Sequence, residues 1–494
     1  MKKITIIFIF LCSGFSFSQI TFTNVAPSLG VADPGNGQGT VFFDFNNDGF
    51  LDIYLVNNGS SNRLYMNTGG TGFTEVGTAM GVANNGAGRG CAIADFNSDG
   101  LLDIVVGNFN QPMILFKNNS TSFSQYTDTA GMNLLSYGGS INWFDYNNDG
   151  KIDCYMGNNG IPPRVNYFFR NNIFMNFSQV ADSVGFTDIT STISTACADY
   201  DNDGDVDLFT GSQTSIAGKT NFLYKNNGNG TYTDVATSAG LIVTLFSWGA
   251  DWGDFDNDGD LDLYVCNFNG ANNLFRNNGS GTFTDVAQAQ GVADLSQSFT
   301  CGWADYDNDG LLDLFVGNGN GSDKLYKNNG ITFTDVALSV GINDTLLSNS
   351  STWGDYDNNG YPDLYCSNNG VPNRLFKSSG GANRWLIVKL KGIDLKNSPI
   401  GARVILKTGA NTSIREVQGG SGHNGQNSLP LEFGVAGSMT IDSLIVRWPR
   451  GNFTRLSNLS TNQILDITEI TTGIISNGNN IPDKYSLSQN FPNP

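Results

Sequence analysis

Short apolar stretches recur along most of the chain, separated by polar, glycine-rich segments, and they recur in a fixed order. An apolar triplet such as Val41-Phe42-Phe43 precedes an acidic nonapeptide, and an apolar-rich run such as 261–265 follows it. A third stretch of the type Asn-x-Leu-Tyr-Lys-Asn comes next (62–67, 273–277, 324–328). A fourth, of the type Thr-Phe-Thr-Asp-Val-Ala, closes the unit (231–236, 282–287, 332–337). Between the third and fourth stands Asn-Asn-Gly (226–228, 277–279, 328–330), a hairpin-turn signal because both residue types tolerate positive φ. About four short strands per repeat, with no helical period, predict an all-β chain built of propeller blades.

The acidic nonapeptide begins at Asp44, Asp95, Asp145, Asp199, Asp254, Asp305 and Asp355, at intervals of 50 to 55 residues. Seven copies predict a seven-bladed β-propeller. The phase of the repeat predicts how it closes. A Thr-Phe-Thr module at 21–26 precedes the first acidic loop, and no such module follows the seventh unit at 373–377. The N-terminal strand is therefore expected to complete the last blade, removing both free ends. An open solenoid would call for atypical capping repeats.

Each loop sets side-chain oxygens at positions one, three, five and nine, with Gly at six. These are Asp44, Asn46, Asp48 and Asp52; Asp95, Asn97, Asp99 and Asp103; Asp145, Asn147, Asp149 and Asp153. The later loops supply Asp199, Asp201, Asp203 and Asp207; Asp254, Asp256, Asp258 and Asp262; Asp305, Asp307, Asp309 and Asp313; Asp355, Asp357, Asn359 and Asp363. Alternate residues converging on one point while Gly makes the turn suit calcium, which takes six to eight hard oxygens; zinc would call for His or Cys. An EF-hand needs an acid at position 12, where these loops carry Leu55, Val106, Met156, Thr210, Val265, Val316 and Cys366. The competing reading is a set of Asx-rich turns held by side-chain-to-backbone bonds.

Charge weighs toward metal. The net charge is −19 with only 14% charged residues, and these ligand positions hold 24 of the 45 acids. Such crowding is unfavourable without a cation. Up to seven structural Ca²⁺ ions are expected, best held by the fourth to sixth loops, with the seventh weakened by Asn359. With free calcium about tenfold above Kd, each would add roughly 1.4 kcal/mol to folding. The same acidity argues against nucleic acid as a partner.

The loops resemble those of the FG-GAP and VCBS repeat family, the propellers of integrin α-subunit heads, over roughly 21–377. That resemblance implies calcium on the face away from the usual ligand surface. Beyond the Ser378-Ser379-Gly380-Gly381 stretch the acidic loops cease, and different strands (385–390, 402–406, 444–448, 464–467) predict a small β-sandwich or barrel-like domain. It resembles the ASPIC/UnbV domain through Asn383-Arg384-Trp385-Leu386, Ile400-Gly401-Ala402-Arg403-Val404, Gly419-Gly420-Ser421-Gly422 and Val446-Arg447-Trp448-Pro449. The tail 487–494 resembles the opening of the C-terminal sorting domain of type IX secretion. The expected organisation is a signal peptide (1–18), propeller (19–378), linker (379–383), ASPIC/UnbV-like domain (384–470), second linker (471–484) and sorting segment (485–494).

Lys2 and Lys3, the apolar run 4–12 and Ser16-Phe17-Ser18 read as a secretory signal, so export or display on the outer cell surface is expected; no other stretch is long and apolar enough to span a membrane. The six cysteines after the signal fall in different repeats, which favours buried free thiols over disulfides. The sole histidine, His423, reads as a surface or hydrogen-bonded loop residue, and no Ser-His-Asp or Cys-His set can be assembled. Trp143, Trp252, Trp303 and Trp353 each stand two residues before a loop; packing between blades is preferred over a sugar-stacking ring. The chain is therefore expected to be a monomeric protein- or glycan-binding or adhesion module and not an enzyme. The alternative is a calcium-dependent polysaccharide lyase or hydrolase using Lys or Arg with Tyr.

Overall fold

The computed structural model describes residues 19–160, 165–172, 175–186, 188–216, 218–342, 344–393 and 398–470. The expected signal peptide (1–18), second linker (471–484) and sorting segment (485–494) lie outside the described residues.

The chain is all-β in its sheets, and the sheets follow the repeat. In the first repeat, strands Gly37–Phe43, Asp52–Asn57, Arg63–Asn67 and Phe73–Glu75 pair antiparallel in sequence order. The acidic loop joins the first two strands, with Phe43 opposite Asp52. The same four-strand meander recurs in each later repeat, and the second gains a fifth strand, Leu135–Tyr137. The first two strands are buried on both faces, because sheets pack against one another face to face; the third alternates.

The last meander, Ser348–Gly354, Asp363–Asn368 and Arg374–Ser378, is completed by Phe22–Asn24 from the N-terminus. Phe22 faces Ser378 and Asn24 faces Phe376. First strands of successive sheets lie side by side, and Ser348–Gly354 also lies beside Gly37–Phe43. There Asn349 Nδ2 donates to Gly37 O at 2.7 Å and Phe42 N donates to Thr352 Oγ1 at 3.3 Å.

Six repeats end in a one-turn helix that the sequence reading did not foresee, such as Ala287–Gln290. Four residues are too few to show a helical period. Each turn buries one or two residues and stops at a left-handed Gly, as at Gly291 (φ 79°).

Residues 384–470 form two further sheets. Arg384–Lys391 lies between Leu431–Ala436 and the parallel strand Gln463–Thr468. Asn411–Glu416, Arg403–Thr408, Thr440–Arg447 and Phe453–Ser460 make the second. Leu386, Val404, Leu444 and Trp448 fill the space between them, and this core runs on without a break into Trp143 and Ala92 of the repeats. The segment expected to be a linker is bonded in place: Ser379 N donates to Thr21 O, and Asn383 Nδ2 to Asp307 O, both at 2.8 Å.

A glycine-rich segment of this C-terminal unit, 418–428, reaches in among the first strands of the repeats. Gln426 N donates to Thr40 O, and Asn424 O accepts from Cys91 N. Gly419 O accepts from Trp143 N at 3.0 Å. Gly422 exchanges both backbone bonds with Ala250 and packs on Cys301 O. Ser428 N donates to Trp353 O. The approach is too close for side chains: a Cβ on Gly419 would lie 1.9 Å from Trp143 O, and one on Gly420 2.2 Å from Ile141 O.

Candidate metal centres

Every acidic loop folds by the same local chemistry. The position-four residue takes a left-handed conformation (Asn47, Ser98, Asn148, Asn202, Asn257, Asn308, Asn358), as does Gly at position six, which reverses the chain in two steps. The first Asp caps the turn it starts. In loop one, Asp44 Oδ1 accepts from Asp48 N at 3.0 Å and Oδ2 from Gly49 N at 2.8 Å.

The position-nine Asp does a different job. Asp52 Oδ2 accepts from Phe45 N at 3.1 Å and Oδ1 from Asn67 N at 2.7 Å, tying the loop to the third strand. The pair recurs through Asp103, Asp153, Asp207, Asp262, Asp313 and Asp363, with Ser378 N as the last donor. The self-bonded Asx turn and the carboxylate cluster are therefore both present in one loop.

Three carboxylates come together, with oxygens within 4.8 Å of one another, in four loops: Asp199, Asp201 and Asp203; Asp254, Asp256 and Asp262; Asp305, Asp307 and Asp313; Asp355, Asp357 and Asp363. Loops one to three carry Asn46, Asn97 and Asn147 at position three and so present one carboxylate fewer at that point. Loop seven gathers its three acids despite Asn359.

These carboxylates are electrostatically ill at ease. Burial, followed by repulsion from neighbouring loop acids, pushes Asp305 up to about 8. For Asp355 the causes are burial and then Glu432, again to about 8. Burial likewise raises Asp52 to about 8, and Asp207, Asp313 and Asp363 well above the carboxylate range. Oδ1 of Asp199, Asp201 and Asp307 is buried with no hydrogen-bond partner. A hard cation at the loop centre would satisfy these oxygens and relieve the repulsion, so the donor set fits a metal ion.

Counter-charges missed in the sequence reading surround the loops. Lys225 pairs with Asp201 and Asp203, Lys327 with Asp307 and Asp309, Lys117 with Asp99, and Lys377 with Asp357. The signal was present in the recurring Leu-Tyr-Lys-Asn stretch, which carries Lys at this position in four of the seven repeats (Lys117, Lys225, Lys327 and Lys377). On Asp201 and Asp307 the lysine takes Oδ2, leaving the orphaned Oδ1 turned elsewhere.

The C-terminal unit bonds to several of these loops. Arg447 Nη1 lies 3.2 Å from Asp199 Oδ2, and Arg403, paired with Glu416 at 2.7 Å, also bonds Asn202 and Asp199 O. Lys389 Nζ donates to Gly49 O at 3.2 Å, and Glu432 accepts from Asp355 N at 2.9 Å. Ala436 N donates to Asn308 O.

The four tryptophans are buried between sheets and form no exposed sugar-binding ring: Trp252 stacks on Tyr200 and Trp303 on Phe255 of the preceding repeat. The six described cysteines are free and buried. Of the two readings of His423, the surface one fails and the hydrogen-bonded one holds, through Asn349 O and Asn424. It is buried within the inserted segment.

A family model described as FG-GAP-like repeat matches six overlapping windows spanning 44–366. The chain belongs to the FG-GAP-like repeat family. A second model, ASPIC and UnbV, matches 394–473. Among curated proteins, cartilage acidic protein 1 of Xenopus tropicalis is 37% identical over 111 residues, 22% of this chain and 17% of that protein. The Mus musculus protein of the same name is 38% identical over 94 residues, 19% of this chain and 15% of that one. The chain thus spans under a fifth of the relatives it matches. A solved structure of BBS1N in complex with ARL6DN aligns with a TM-score of 0.45 at 11% identity, over 70% of this chain and 94% of that chain. No helix among the described residues is long and apolar enough to cross a membrane.

Proposed function

We propose that the seven meanders close into a calcium-stabilised, seven-bladed β-propeller that serves outside the cell as a protein- or glycan-binding module. Pairing of Phe22–Asn24 with the last sheet and the bonds between first and last sheets support closure. The orphaned carboxylate oxygens support calcium at the loops, with all 28 loop positions named above as the ligand set. The domain limits 19–378 and 384–470 belong to the same reading.

The observation that carries the binding function is the placing of exposed apolar side chains. Phe109, Leu135, Val165, Ile189, Ile242, Phe246 and Leu295 are all exposed, Leu295 to 80%. Phe109 and Leu135 lie where strands run on past the sheet, and Val165, Ile189, Ile242, Phe246 and Leu295 in connections, at the ends opposite the acidic loops. The C-terminal unit bonds to several loops at the acidic end, which favours the opposite end with its apolar rim as the surface for a partner. A screen of extracellular proteins and of acidic and neutral polysaccharides, with and without calcium, tests this. Capture without new reducing ends or unsaturated sugars is the expected result. Product formation would favour the lyase or hydrolase reading, and no retention by any partner would remove the binding one.

A further inference from the structure

We propose that the work of the C-terminal unit is to lock the propeller, with residues 418–428 as an axial pin joining the first strands; the proposal rests on the closed-ring reading above. First strands meeting at an axis leave backbone donors and acceptors with no room for another strand, and buried ones need partners. The inserted segment supplies them. Gln426 is the clearest case and is fully buried. Its N–H donates to Thr40 O in the first sheet, its Oε1 accepts from Ile93 N in the second at 2.8 Å, and its carbonyl accepts from Thr352 Oγ1 in the seventh at 2.8 Å. One side chain and its backbone thereby span the seam where the ring closes. His423 reaches Asn349 of the seventh sheet, and Gln418 Nε2 donates to Trp252 O of the fifth at 3.0 Å.

Two features make this a lock and not a loose domain contact. The glycines at 419 and 420 are required by approach distances no side chain could meet. The hydrophobic core is also shared between the C-terminal sheets and the second and third repeats. The Gly419-Gly420-Ser421-Gly422 motif thus has a physical reason that lies outside its own domain.

The test is calorimetry and amide exchange on the full calcium-loaded chain, as wild type, Gln426→Ala, and Gly437→Ala as control. A Cβ at Gly437 meets nothing within 4 Å. Wild type should melt in one transition. Gln426→Ala should lower it as a whole by about 5 °C or more and speed exchange at Ile93 and Cys91, while Gly437→Ala leaves both unchanged. Two wild-type transitions, or a Gln426→Ala effect that spares Ile93, would overturn the lock, and the wild-type trace decides even if the variant fails to fold. Ring closure is read separately by a Thr23→Cys, Lys377→Cys pair, which are cross-strand partners. Its disulfide should form whether or not the lock acts; its failure to form would count against the ring itself.

Discussion

His423 Nδ1 lies 2.8 Å from the carbonyl oxygen of Asn349, joining the C-terminal unit to the seventh repeat. A carbonyl only accepts, so Nδ1 carries the proton and Nε2 accepts from Asn424 Nδ2 at 3.0 Å. Burial pushes the imidazole down to about 4, so the one histidine of the chain stays neutral and serves as a fixing point. Both its nitrogens are engaged, which leaves none for acid–base work.

Metal removal comes first among the expected outcomes. Native mass spectrometry should find at least the four ions that the carboxylate clusters can hold. Chelation should lower the melting temperature by about 10 °C or more, on roughly 1.4 kcal/mol per site. An unchanged melting curve would reduce the loops to self-bonded turns.

Asp256→Asn should change sign with calcium. Burial and then Asp258 raise the pKa of Asp256, so its charge costs stability when no cation is near. The variant should melt lower than wild type in calcium and no lower in chelator. Parallel melts in the two buffers give the answer.

The lysines beside the loops should set how much each site depends on metal. Removing Lys225 or Lys327 leaves two carboxylates without their partner in the metal-free state. Lys225→Met and Lys327→Met should therefore widen the gap between chelated and calcium-loaded melting temperatures, on the order of 1 kcal/mol each given their part-exposed setting. A narrower gap would mean that the lysines serve mainly to orient bound ligands.

Asp251 predicts a pH dependence of its own. It is 1% exposed, occupies a first-strand position where other repeats carry Val41, Ala92 or Gly302, and has Oδ1 without a partner. Burial raises it to about 7. A carboxyl raised above its unfolded value of 3.8 favours folding fully below that value, and the contribution is lost as pH rises through 7. Asp251→Asn should thus stabilise the protein at pH 8 and leave it little changed at pH 4, as melts across that range would show.

The repeat made the sheets legible because each Asp-x-Asn/Asp-x-Asp-Gly loop fixes where one strand ends and the next begins. The N-terminal strand's pairing with Arg374–Ser378 was readable for the same reason: the repeat's phase leaves 21–26 and 373–377 as complementary halves. The one-turn helices were hidden because Ala337–Val340 is too short for any period to register. The insertion of 418–428 was hidden for a deeper reason. Gly, Ser and Asn in a row look like any surface loop, and only neighbours far away in the chain, such as Trp143 and Ile141, turn small side chains into a necessity.

The segment at 418–428 also fixes an order of events. A ribosome releases all seven repeats before it makes Gln426, yet Thr40, Ile93 and Thr352 wait for that residue. Phe22 meanwhile must wait for Ser378, more than 350 positions downstream. Such long loop closures make maturation slow and leave strand edges bare in the interim. A nascent chain stalled short of the C-terminal unit is accordingly the species most in need of a chaperone.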